Sequence, residues 1–152
     1  MSIVEGYDLE AMVGDPDDHR PTTRWATLAD PGDVDGRVDD LVVIVEHIGV
    51  GDRIPLHVHR TSEVIVVHGR GRQRLGETEC DVEDGAVVFI PAGVGHGLAN
   101  RRGAPLRIEA IFPTGRIWIR YLERNPAPGT EDDAPAAAMT IDVRTGEITP
   151  DP

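Results

Sequence analysis

Residues 51–63 read GDRIPLHVHRTSE, and residues 85–100 read GAVVFIPAGVGHGLAN. In the first stretch His57 and His59 stand two apart in a short strand-like run. Side chains at i and i+2 of a strand leave by the same face, so both imidazoles turn to one side. Pro55 just before them suits a strand start or an edge. Arg60, Thr61 and Ser62 can close a tight turn, and Glu63 then opens the next strand. An antiparallel neighbour would set the Glu63 carboxylate beside the histidine pair. In the second stretch Gly85 follows Asp84 at a turn, Pro91 and Gly93 break the strand, and the bend swings His96 inward. Asn100 is expected to brace this loop by side-chain-to-backbone hydrogen bonds.

Outward from these stretches the chain reads as β structure. Leu41–Ile48, Leu56–His59, Glu63–Val67, Gly71–Leu75, Ala86–Ile90, Leu106–Phe112 and Arg116–Leu122 are short runs rich in β-branched residues, separated by Gly, Pro and Asp. No stretch carries a helical period with caps. Closely spaced strands with turn signals predict an all-β sandwich or barrel, here over residues 39–124. Residues 1–38 are polar and acidic and read as an N-terminal arm packing on the barrel or on a neighbour, with Trp25 and Leu28 able to pin a short strand. Residues 125–152 form a Pro- and Asp-rich tail in which Met139–Val143 and Glu147–Thr149 can make a weak hairpin.

Composition narrows the function. The formal charge is −12, which repels nucleic acid and anionic membranes. All 15 basic residues are arginine, so Schiff-base chemistry on a lysine amine is excluded. One cysteine, Cys80, excludes an intrachain disulfide and Cys-rich metal sites. A bound metal must therefore be held by nitrogen and oxygen, and histidines with a carboxylate suit Fe(II), Mn(II), Ni(II) or Zn(II) with positions left open. The apolar runs Leu41–Val45 and Ala86–Ile90 fall far short of a membrane span. The N-terminus shows no secretory signal, which predicts a cytoplasmic protein.

The two quoted stretches resemble the cupin motifs. The first is written G(X)5HXH(X)3,4E(X)6G, and Gly51, His57, His59 and Glu63 match it; the closing glycine departs, Gly69 coming one residue early and Gly71 one late. The second is G(X)5PXG(X)2H(X)3N, and Gly85, Pro91, Gly93, His96 and Asn100 match it at every fixed position. The resemblance covers residues 40–122. It implies a cupin-type double-stranded β-helix, or jelly-roll barrel. It also implies one divalent metal ion on His57, His59, Glu63 and His96, and commonly a homodimer.

A four-ligand set with open positions supports two chemistries. In the first, suggested most often by the resemblance, Fe(II) binds a small organic substrate beside O₂, a dioxygenase-type oxidoreductase in which Glu63 can detach or act as the catalytic base. In the second the metal is a Lewis acid and a pocket residue moves a proton, as in an isomerase, lyase or cyclase. A third reading, a ligand-binding cupin without catalysis, ranks last.

Other residues have plainer readings. His47 and His68 read as surface or packing histidines, and either His47 or Glu46 can line the pocket, since neighbours in a strand face opposite ways. Arg53 reads as a solvated loop arginine that can alternatively reach the mouth and meet an anion. Cys80 reads as a small hydrophobe in a strand. Phe89, Phe112, Trp118 and Tyr121 read as core or interface residues. Leu106, Ile108, Ala110 and Phe112 should face the barrel interior, with Arg107 and Glu109 outside. The acidic runs at 15–18 and 131–133 read as solvated.

Overall fold

A computed structural model describes residues 2–12, 15–101 and 103–151, and these contain strands and turns with no helix. In chain order the strands are β1 (Glu10–Ala11), β2 (Arg24–Ala29), β3 (Val42–Ile48), β4 (Arg53–His59), β5 (Glu63–His68), β6 (Gly71–Leu75) and β7 (Thr78–Val82). They continue as β8 (Val87–Ile90), β9 (His96–Ala99), β10 (Leu106–Phe112), β11 (Arg116–Tyr121), β12 (Met139–Asp142) and β13 (Ile148–Pro150).

Two sheets face each other, ordered β1-β2-β3-β10-β5-β8 and β13-β12-β11-β4-β9-β6-β7. Every strand pairing is antiparallel. This is the two-sheet, all-β architecture that the strand spacing predicts and the jelly roll that the cupin resemblance implies. Alternation decides what lies between the sheets. Leu106, Ile108, Ala110 and Phe112 of β10 are buried with Ile65, Val67, Val88 and Ile90. Arg107 and Glu109 point outward, where Glu109 meets His68 at 2.6 Å. On the same outer face Phe89 is 73% exposed at the edge strand β8, so it is not a core residue.

Both ends of the chain join the sheets. β2 pairs with β3 along its whole length, and β12 and β13 extend the other sheet beyond β11. Asp17 and Asp18 are packed rather than solvated, a correction to the reading of the acidic run at 15–18: they are 0% and 4% exposed. The reason is local hydrogen bonding. The Asp17 carboxylate accepts from Arg124 Nε and from the Ala136 amide, and the backbones of Asp17 and His19 pair with Asn125. The acidic run at 131–133 is exposed.

Sequence patterning does not mark β1, β7 or β9. β7 has four consecutive exposed residues, so no apolar alternation marks it. Cys80 lies in it but is exposed, contrary to its reading as a packed hydrophobe. β4 begins three residues early, at Arg53, which is strand rather than loop; Arg53 bonds Asn125 and Glu123 on the surface.

Candidate metal centre and its cavity

The three histidines come from adjacent strands of one sheet. His57 and His59 lie on β4, and His96 opens β9 directly opposite His57. A register shift between Ile54 and His57 marks a bulge in β4. Gly97 lies against that irregular backbone: a Cβ there would sit 2.8 Å from the Ile54 carbonyl oxygen, so the close approach requires glycine. The Pro91–Val94 turn is tied to β4 by the Gly93 amide donating to the His59 carbonyl at 2.9 Å, and this fixes the entry of His96. Asn100 donates to the carbonyls of Ile48 and Ala104 at 2.8 and 3.0 Å, bracing the following loop as expected. The shifted closing glycine is accommodated at Gly69, which adopts a φ of 120° after β5.

Glu63 arrives by another route than a simple hairpin. β4 and β5 lie in different sheets, so residues 60–62 cross from one to the other and the carboxylate faces the histidines across the barrel interior. Its oxygens lie 2.9 Å from His96 Nε2 and 3.4 Å from His59 Nε2. The candidate ligand atoms of His57, His59 and His96 all lie within 4.8 Å of one another. All four side chains are buried.

Each imidazole is held by a backbone carbonyl at Nδ1: Pro55 for His57 at 2.8 Å, Trp118 for His59 at 2.7 Å and Val94 for His96 at 2.9 Å. A carbonyl only accepts, so this geometry assigns the ring proton to Nδ1 and leaves the Nε2 lone pairs aimed inward. Burial, followed by the neighbouring imidazoles His96 and His59, pushes the His57 pKa well below its usual value. Burial also lowers that of His59, although the Glu63 charge opposes it.

His96 Nε2 faces the Glu63 carboxylate yet has no hydrogen-bond partner among the described residues. Two acceptors in contact need a cation between them, and buried charge without one is costly. Three imidazole nitrogens and one carboxylate therefore fit a divalent metal ion.

The same interior contains a cavity of about 540 Å³, within the range of small-molecule sites. Its walls are chiefly apolar and include Met12, Trp25, Ile54, Phe112, Ile141 and Ile148. A second polar group also lines it. Arg20, 2% exposed, donates through Nη2 to Asp18 at 2.8 Å and through Nη1 to Glu46. Tyr121 donates to Asp15 at 3.0 Å, and its ring lies 6.2 Å from that of His57.

Burial pushes the Asp18 carboxyl up to about 6; Arg20 opposes this, while Glu46 and Asp15 add to it. Burial and then the Asp18 and Asp15 charges raise Tyr121. Glu46 therefore takes the inward position that sequence left open against His47. Asp18 and Arg20 went unnoticed because turn-like acidic residues imply solvent; the spacing of an acid and an arginine two residues apart was the available signal.

Residues 44–114 match the cupin domain family. The fold and the two motifs agree with this match, and residues 44–114 carry a cupin domain. No curated protein matches the chain by sequence.

Among solved structures it is similar to the polyketide cyclase RemF of Streptomyces resistomycificus (22% identity, 89% of this chain and 94% of that one, TM-score 0.65). It is also similar to a cupin-superfamily sugar phosphate isomerase of Silicibacter pomeroyi (20%, 86% and 78%, 0.58). A third is oxalate decarboxylase OxdC of Bacillus subtilis (20%, 66% and 28%, 0.56). At these identities the likeness establishes the fold. Among the described residues no helix is long and apolar enough to cross a membrane.

Proposed function

We propose that the chain is a metal-dependent enzyme that transforms a largely apolar, carbonyl-bearing small molecule without redox chemistry, by cyclisation, isomerisation or elimination. One observation carries the reading: a single apolar cavity is bounded by the His57, His59, Glu63 and His96 donors and, apart from them, by a buried acid–arginine group. A divalent ion held by those four residues would act as a Lewis acid on a carbonyl oxygen. The chain's own side chains do the rest. The aliphatic and aromatic walls bind the substrate body and exclude water, which strengthens the polar interactions at each end. Arg20 is engaged by two carboxylates, which argues against a sugar phosphate as the substrate.

The named activities of the cyclase and isomerase neighbours agree with chemistry of this class. The oxygenase reading that the motifs suggest uses the same ligands and rests on the donor set alone. Zinc, nickel, manganese and iron all suit that set; a manganese centre is named for oxalate decarboxylase.

Turnover of an apolar ketone or polyketide-like substrate by the zinc-loaded chain under strict anaerobiosis is the expected result. Turnover that requires iron and consumes O₂ overturns the proposal in favour of the dioxygenase.

A further inference from the structure

Resting on that Lewis-acid reading, we propose that Asp18 is the group that takes a proton from the substrate and returns it, with Arg20 and Glu46 as the residues that position it. The geometry isolates Asp18 for the task. It lines the cavity and is 4% exposed. One carboxylate oxygen, Oδ2, is fixed by Arg20 at 2.8 Å, whereas Oδ1 is buried with no hydrogen-bond partner among the described residues. Glu46 shares the same guanidinium, so one cation sits between two carboxylates and the group carries an excess negative charge.

The ionisable groups around Asp18 are Arg20 and Asp15 on its own segment, Glu46 on β3 and Tyr121 on β11. Three acids against one base in a buried setting favour a proton on one carboxyl. Asp18, with its free oxygen and raised pKa, is that carboxyl. A group poised near neutrality serves as both base and acid. The segment that carries it is pinned through Asp17 and His19 to Asn125, so its backbone is held in place.

The proposed step balances within the cavity. Asp18 Oδ1 accepts a proton from the carbon next to the substrate carbonyl. The C–H electron pair forms the carbon–carbon double bond, and the carbonyl π pair moves to oxygen at the histidine end. Asp18 returns the proton to carbon, or to a leaving group, in the second half of the reaction.

Two measurements test it. The first needs no turnover: carboxyl ¹³C NMR of the metal-free chain should show Asp18 titrating near pH 6, the position its surroundings set. Titration in the ordinary aspartate range, near 4, overturns the proposal. The second uses 1-tetralone as an apolar ketone probe in D₂O with zinc-loaded protein. The wild type is expected to exchange the α-hydrogens, Asp18→Asn to lose about 100-fold or more, and Asp18→Glu to recover part of the rate with a shifted pH profile. Exchange by Asp18→Asn at the wild-type rate removes Asp18 alone from the account. Exchange by neither protein overturns the Lewis-acid reading and, with it, the role given to Asp18.

Discussion

Of the two polar groups lining the cavity, one has three imidazoles oriented by backbone carbonyls, with burial lowering the pKa of His57 and His59; in the other, an arginine holds two buried carboxylates in ionic contact. The first group comes from regular strands of one sheet, joined by a single carboxylate from the sheet opposite. In the second, Asp18 and Arg20 come from an irregular N-terminal segment laid against β3, which supplies Glu46. The difference separates two tasks. Imidazole nitrogens in a rigid frame are suited to a cation, whereas a buried carboxyl with a raised pKa is suited to moving protons.

The largest expected effect breaks the histidine side. His59→Ala removes a donor outright, and metal affinity should fall by more than the roughly 10–100-fold typical of losing a supporting hydrogen bond. Elemental analysis after dialysis checks this, while circular dichroism should still report the β fold.

Next in size, Arg20→Met leaves Asp18 and Glu46 facing each other without a cation. Breaking a buried ion pair in this way costs about 3–5 kcal/mol, readable from urea unfolding of the metal-free chain. Metal stoichiometry should survive in the fraction that folds. If Arg20→Met proved neutral, the Arg20 ion pairs would contribute nothing net to the fold.

The two sides should also respond oppositely to pH. His57 and His59 resist protonation when folded, so their contribution to stability is full above the unfolded value of 6.5 and is lost as pH falls below it. Asp18 is the reverse. Its folded value of about 6 lies above the usual 3.8, so the native state holds a proton that the unfolded chain releases. Its contribution is full below 3.8 and is lost as pH rises to about 6. In metal-free protein Asp18→Asn should therefore make stability fall more steeply on acidification between these limits, by about 2–3 kcal/mol in total. An unchanged slope would show that Asp18 carries no shifted proton. At the small end, Arg53→Ala should cost at most about 1 kcal/mol and leave metal affinity untouched, since its pairs with Glu123 and Asn125 lie on the surface.

The same contrast governs what sequence could disclose. His57 and His59 were legible because strand alternation converts a spacing of two into a shared face, and His96 because Pro91 and Gly93 mark the bend that turns it inward. β3 and β5 were legible from their runs of β-branched residues, and β10 from its apolar alternation. The crossing of residues 60–62 between sheets was not, since a short link carries no record of which sheet its strands join. Asp18 and Arg20 were hidden more deeply, and Glu46 was legible only as an alternative to His47. Their meeting depends on residues 15–20 docking against β3 and Asn125, contacts between segments far apart in the chain with no periodic pattern. A buried acid also looks like a solvated one until its hydrogen-bond partners are seen.

The central claim, that His57, His59, Glu63 and His96 close on one ion, is tested most directly by anomalous diffraction from crystals of the zinc-loaded chain. The account predicts a single strong peak per chain, within about 2.2 Å of the three Nε2 atoms and a Glu63 oxygen. Zinc found only on surface carboxylates, with the four side chains unchanged and nothing between them, would contradict it.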